Sequence, residues 1–137
     1  MGRQAQVALL EHAYALWADG DFEGVLKLTT DDVEWIPPSY ALEPKPLRGH
    51  DEVRRGIGSY FESFEVFVPI AEEIIPAAHE DEYLVLVRTH TRGRGSGAEV
   101  HMDVAHLIRF RGDRIARFEV IPDRAEALAR SGIERGN

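Results

Sequence analysis

The sequence predicts a single α+β domain, with three N-terminal helices packed on the concave face of a curved, mixed or antiparallel sheet and a short helix at the C-terminal end. Three observations predict it. Helical periodicities are confined to the first half of the chain and to its last few residues. Long alternating segments fill the second half. Glycine-bearing turns of hairpin type, such as Gly112-Asp113, separate those segments. Helices segregated from sequential hairpins mark the α+β class. Helices lying on one face of a strongly curved sheet leave a conical cavity between the two layers.

The elements follow in order. Val7, Leu10, Tyr14 and Trp17 recur at spacings of three and four, which predicts a helix over 3–18 ended by Asp19-Gly20-Asp21. Asp21 is placed to cap a second helix over 22–30, with Phe22, Val25, Leu26 and Leu28 as its apolar residues. Asp31 to Ile36 reads as a short strand stopped by Pro37-Pro38. The loop that follows, to about Gly49, is rich in proline and reads as a semi-rigid cover. His50 to Phe64 carries Val53, Ile57, Tyr60, Phe61 and Phe64 on one face, with Asp51 and Glu52 at the positive end of its dipole. Strands are predicted over 65–76, 82–93, 98–111 and 114–121. A last helix over 124–131 has Asp123 as its cap, Glu126 three residues on and Ser131-Gly132 as its stop.

Composition narrows the function. With 137 residues there is room for one domain and one main core. The net charge of −8 argues against a nucleic-acid binder, which needs a basic footprint. No apolar run approaches the ~20 residues of a membrane span. The first residues lack a signal-peptide core, so a cytoplasmic location is expected. There is no cysteine, hence no thiol nucleophile and no disulfide. No histidine pair has the spacing of a helical metal motif, and His101 and His106 point to opposite strand faces, so no metal site is expected. Arg88, Arg92, Arg94, Arg109, Arg111, Arg114 and Arg117 crowd the C-terminal half. They read as the solvated face of a sheet or as contacts to an anionic ligand or second subunit.

The strand from Val100 to Phe110 is the most informative for chemistry. Val100, Met102, Val104, Ile108 and Phe110 share a face with His106, while His101, Asp103 and Arg109 lie on the other with Ala105 and Leu107. One imidazole in an apolar row is either a hydrogen-bonded core group or the working group of a pocket. Around it Trp17, Trp35, Tyr60, Phe61, Phe64, Met102, Val104, Phe118 and Val120 are candidate cavity lining, with Pro38 and Tyr40 at the mouth. Such a pocket suits a flat apolar ligand.

Several short marks occur together: Gly20-Asp21-Phe22, Asp31-Asp32-Val33-Glu34-Trp35, Leu47-Arg48-Gly49-His50-Asp51-Glu52-Val53, His106 to Ile115, and Val120-Ile121-Pro122-Asp123. In this order they make the chain, over about 5–132, resemble the SnoaL-like family of the nuclear transport factor 2 superfold. That superfold also holds ketosteroid isomerase and limonene epoxide hydrolase. The resemblance implies a cone-shaped domain, a homodimer joined through the outer sheet face, a small-molecule ligand and no cofactor. It also suggests site residues. In ketosteroid isomerases a base Asp lies late on the first strand, and a Tyr and a protonated Asp form the oxyanion hole. The base position matches Trp35, the oxyanion Asp matches His106, and Tyr14 lies one residue from the Tyr position. SnoaL-like cyclases use an acid–base Asp near the last strand with a His nearby, which match Asp123 and His106. Strict alternation puts Asp123 on a face with Ile115, Arg117, Glu119 and Ile121, so only a bend at Pro122 would turn it to the cavity. Capping is the competing role for Asp123. The resemblance therefore implies a protein that binds an apolar or polycyclic metabolite, with cofactor-free cyclase or isomerase chemistry at His106, Asp123 and Tyr14. The alternatives are a non-catalytic binding or assembly module and an epoxide hydrolase-like enzyme, whose Asp-Arg-Asp set finds no match here.

Overall fold

The structure, a computed structural model, describes residues 2–38 and 45–133, without the side chain of Tyr60. Ten elements follow one another: α1 (Arg3–Ala18), α2 (Phe22–Leu26), β1 (Thr29–Ile36), β2 (Leu47–Arg48), α3 (Gly49–Phe61), β3 (Phe64–Pro76), β4 (Glu82–Gly93), β5 (Glu99–Arg111), β6 (Arg114–Ile121) and α4 (Arg124–Arg130). The strands form one six-stranded sheet in the order β2-β1-β6-β5-β4-β3. β1 runs parallel to β6, and every other neighbouring pair is antiparallel. This is the α+β architecture that segregated helices and successive hairpins predict.

Three boundaries differ from the sequence reading, each because tertiary contacts intercept the backbone. α2 stops at Leu26 rather than running to 30. The Thr29 hydroxyl donates to the Leu26 carbonyl, Arg114 donates to the Lys27 carbonyl, and the Ile115 amide donates to the Leu28 carbonyl. The incoming β6 thus takes the carbonyls a longer helix would use. α3 stops at Phe61, and Phe64 opens β3 instead of closing the helix. Here Arg94, from the β4–β5 turn, donates to the carbonyls of Glu62, Ser63 and Phe64. The proline-rich stretch, expected to be wholly loop, ends in the two-residue strand β2, with Leu47 opposite Trp35.

Register shifts curve the sheet, since an extra residue bends and twists a strand. They fall in the β3–β4 pairing on either side of Val66–Ala71, in the β1–β6 pairing between Thr29 and Glu34, and in the β5–β6 pairing. In the latter, Phe110 pairs with Ile115 and Arg109 with Arg117, so Ala116 is the extra residue. That bulge corrects the simple alternation. Ile115 joins the concave core while Ile121 faces the other way.

The core has two parts. The concave side holds Leu10, Tyr14 and Trp17 of α1, Val33 and Trp35 of β1, and the inward rows of β4, β5 and β6. On the convex side α4 covers Leu84, Ala105, Leu107 and Ile121 with Ala127, and Leu128 packs alongside. The outer row of β5 is therefore apolar only where α4 lies on it. α4 is held by Asp123, whose carboxylate accepts from the Glu126 amide at 3.1 Å, and ends at Gly132 (φ +72°), where a Cβ would stand 2.6 Å from that of Ala78. Arg124 latches it further, donating to the Val87 and Val104 carbonyls and to Glu72. Under the closed end of the sheet, buried Gln6 donates to Asp81 and to the Gly112 carbonyl and accepts from the Tyr83 hydroxyl.

Each arginine of the C-terminal cluster has a partner within the chain. Arg88 pairs with Asp103, Arg92 with Glu99, Arg109 with Glu82, Arg111 with Asp32 and Arg117 with Glu34 and Glu119. Arg94 and Arg114 bind backbone carbonyls. Contacts within the chain thus engage every arginine of the cluster. Among the described residues no helix is long and apolar enough to cross a membrane.

Candidate functional site

The inward face of β5 sets His106 opposite Val85 of β4 and Val120 of β6, in the middle of the concave surface. α1 crosses above it. The helical repeat that aligns Leu10, Tyr14 and Trp17 aims the Tyr14 phenol at the imidazole, with the hydroxyl 2.6 Å from Nδ1. The two rings are nearly parallel, 5.8 Å between centroids, and Trp17 lies roughly parallel to both, 6.4 Å from Tyr14 and 6.2 Å from His106. Phe118 closes in at 4.5 Å.

Burial governs the electrostatics. His106 is 4% exposed, and desolvation pushes its pKa from 6.5 down to about 3, so the ring is neutral near neutral pH. Desolvation also holds the Tyr14 phenol well above its usual value, so it keeps its proton. A phenol has one proton to give, and Nδ1 is the acceptor it meets. A neutral imidazole that accepts at Nδ1 carries its own proton on Nε2. No described residue hydrogen-bonds Nε2.

His106 lines a cavity of about 500 Å³ between the sheet, α3 and the end of β1. Trp17, Trp35, Pro38, Phe61, Phe64, Met102, Val104 and Val120, all named from the sequence, line it as well. The lining also includes Pro37, Leu47, Gly56, Ile57, Ser59, Ser63, Phe67 and Thr89, which that reading missed. Phe67 was recoverable from the alternation of its strand, whereas Leu47 and Gly56 enter only because β2 docks beside Trp35. Gly56 is small for a reason, since a Cβ there would lie 2.5 Å from the Leu47 side chain. Ser59 and Ser63 are exposed and mark where the cavity meets solvent.

Three expected residues stand elsewhere. Phe118 is buried behind the wall, stacked on Trp35 at 4.0 Å, and does not line the cavity. Tyr14 reaches His106 from behind and likewise does not line it. Asp123 sits at the start of α4, on the convex side, with its carboxylate engaged as the cap. The Ala116 bulge reverses the alternation before β6 ends, and no bend at Pro122 brings Asp123 across the sheet. Tyr40 lies outside the described residues, as does the side chain of Tyr60.

Among the described residues the lining contains no Asp, Glu, Lys or Arg, and no three metal-binding side chains come together. What the wall offers is aromatic surface and a few neutral donors. One is His106 Nε2–H. The indole N–H of Trp35 is buried without an acceptor. An arrangement of this kind can hold a flat apolar molecule and orient one oxygen of it.

A family model described as the SnoaL-like domain matches residues 10–118. The chain belongs to the SnoaL-like family. Solved structures agree on the fold. An NTF2-like protein of unknown function from Burkholderia pseudomallei K96243 superposes with a TM-score of 0.77 at 24% identity, covering 98% of this chain and 100% of that one. TerC, co-crystallised with polyporic acid, superposes at 0.75 with 22% identity, covering 93% and 97%. A putative SnoaL-like polyketide cyclase from Mesorhizobium loti superposes at 0.63 with 19% identity, covering 83% and 96%. No functionally curated protein matches the sequence.

Proposed function

We propose that this protein binds a flat, apolar, uncharged small molecule in the concave cavity and orients it through an acceptor oxygen on His106 Nε2–H. The observation that carries the reading is the Tyr14–His106 hydrogen bond. It fixes the tautomer, leaves a donor free on a ring that borders the cavity, and costs the site no charge. The aromatic wall supports the ligand's shape, because faces of Trp and Phe favour stacked or edge contacts with flat rings. The absence of charged groups from the described lining disfavours an ionised ligand, whose desolvation would go uncompensated. The co-crystallisation of TerC, a neighbour in fold, with polyporic acid is in keeping with it.

A second reading, cofactor-free isomerase or cyclase chemistry, is favoured by the same donor. A neutral imidazole N–H that polarises a carbonyl would stabilise an enolate-like oxygen. The chemistry also needs a base, and neither Asp123 nor any described lining residue supplies a carboxylate. Binding is therefore the leading reading. An epoxide hydrolase-like mechanism lacks its acidic set among the same residues.

The test is a titration of polycyclic ketones against their deoxygenated hydrocarbons, followed by quenching of Trp17 and Trp35 fluorescence. We expect the ketone to bind about tenfold more tightly than the hydrocarbon, the worth of one hydrogen bond. His106→Phe should abolish that preference and leave hydrocarbon binding in place. Equal preference in the variant would overturn the role of His106, and failure of every compound to quench would overturn the cavity reading.

A further inference from the structure

The convex face carries a second histidine cluster unrelated to the cavity. Register places His90 of β4 directly opposite His101 of β5. Their rings lie 4.1 Å apart between centroids at 61°, with His90 Nδ1 3.1 Å from His101 Nε2. His90 is half-buried and His101 is exposed, so the pair meets solvent.

We propose that His90 and His101 form a two-ligand site for a borderline divalent transition-metal ion of the zinc, nickel or copper class. The distance is the first argument. Two nitrogens 3.1 Å apart, each about 2.05 Å from a shared ion, subtend roughly 100° at the metal, between the octahedral and tetrahedral angles. Imidazole nitrogen is the ligand these ions share. Without metal the two nitrogens share one proton. To bind, that proton moves to the other nitrogen of its own ring, both rings stay neutral, and two lone pairs face the ion after a small ring rotation.

The surroundings are the second argument. Arg88 and Arg92 flank His90 along β4, and each is tied to a carboxylate, Asp103 and Glu99, on either side of His101. Each arginine is balanced by its own carboxylate, so the pairs leave no net positive charge beside the histidines. No third histidine, aspartate or glutamate among the described residues completes a three-ligand group. The remaining positions on the ion fall to water. The sequence spacing hid this pair, because only the pairing of β4 with β5 brings positions eleven apart into contact.

Calorimetric titration of the tag-free chain with Zn²⁺ and Ni²⁺ in a non-coordinating buffer tests the site. We expect one ion per chain, binding that weakens on acidification, and Ni²⁺ broadening of the His90 and His101 imidazole resonances alone. His90→Asn and His101→Asn should each weaken binding at least ~tenfold, since losing one of two protein ligands removes the chelate. His79→Asn, at an exposed site in the β3–β4 turn, should leave it unchanged. Should His90→Asn fold poorly, the more exposed His101→Gln gives the same reading. No uptake by the wild type, or undiminished uptake by the folded His101 variants, would overturn the proposal.

Discussion

His106 ties pH to stability in a definite direction. Its folded pKa, about 3, lies below the unfolded value of 6.5. The unfolded chain therefore takes up a proton that the folded chain refuses as pH falls below 6.5. The neutral ring's contribution is fully present above that value and is lost on acidification, at up to about 1.4 kcal/mol per pH unit between 6.5 and 3. Several carboxylates are also held below their usual values by arginine and add to the acid loss. Comparing the urea midpoint of wild type and His106→Phe at pH 7 and pH 5 isolates the histidine. The variant should show the shallower pH slope, and equal slopes would contradict a buried neutral ring. Tyr14 gives a companion prediction. Tyr14→Phe or His106→Phe alone should cost about 1–3 kcal/mol, because each leaves a buried polar partner unsatisfied. The double variant should cost less than the sum, as both partners are then apolar. Much of this residue-level chemistry was legible beforehand. Alternation alone put His106 among Val104 and Ile108, but that Tyr14 would meet its Nδ1 depended on how α1 crosses the sheet.

At the scale of elements, Asp123 separates capping from chemistry. Asp123→Ala should lower stability by about 1 kcal/mol, since the first-turn amide of Glu126 loses its acceptor. Asp123→Asn retains a good cap and should leave ligand affinity unchanged, as measured by tryptophan quenching. A loss of affinity in the Asn variant would return Asp123 to the site. Arg124→Ala should cost more than the exposed ion pairs do, by about 1–3 kcal/mol in urea denaturation, because two carbonyls inside the sheet lose their donor. Long elements were readable from the sequence because periodicity integrates over many residues. The ends of α2 and α3 were not, since β6 and the β4–β5 turn reach in from distant sequence to claim their carbonyls. The strand β2 was invisible for a similar reason: two residues hold no period, and Leu47 pairs only because Trp35 is there.

For the whole molecule, the arrangement divides labour between two faces. The concave side holds aromatic surface around the His106 imidazole. The convex side carries ion pairs, the short helix α4 and the paired histidines. A ligand that binds only the folded chain stabilises it by mass action, by about 2.7 kcal/mol when present at a hundred times its Kd. The melting temperature should therefore climb with the concentration of a bound polycyclic ketone and climb less in His106→Phe. A flat response would mean that the compound does not enter the folded cavity. Gln6 offers a separate check on the closed end. Gln6→Ala removes three hydrogen bonds that join α1 to two hairpins and should cost about 1–3 kcal/mol in denaturant, with ligand affinity unchanged.

The parallel pairing of β1 with β6 has a consequence for how the protein is made. Trp35 emerges from the ribosome early, yet the ring it stacks on, Phe118, belongs to the last strand synthesised. Until that strand arrives, the aromatic wall has no partner on one flank and the sheet is split into two halves. Contacts between such distant positions slow folding, and they leave apolar surface open to aggregation meanwhile. The aromatic stack is thus completed late in synthesis, and substitutions at Trp35 or Phe118 should depress the yield of soluble protein more than their effect on the finished fold alone would suggest.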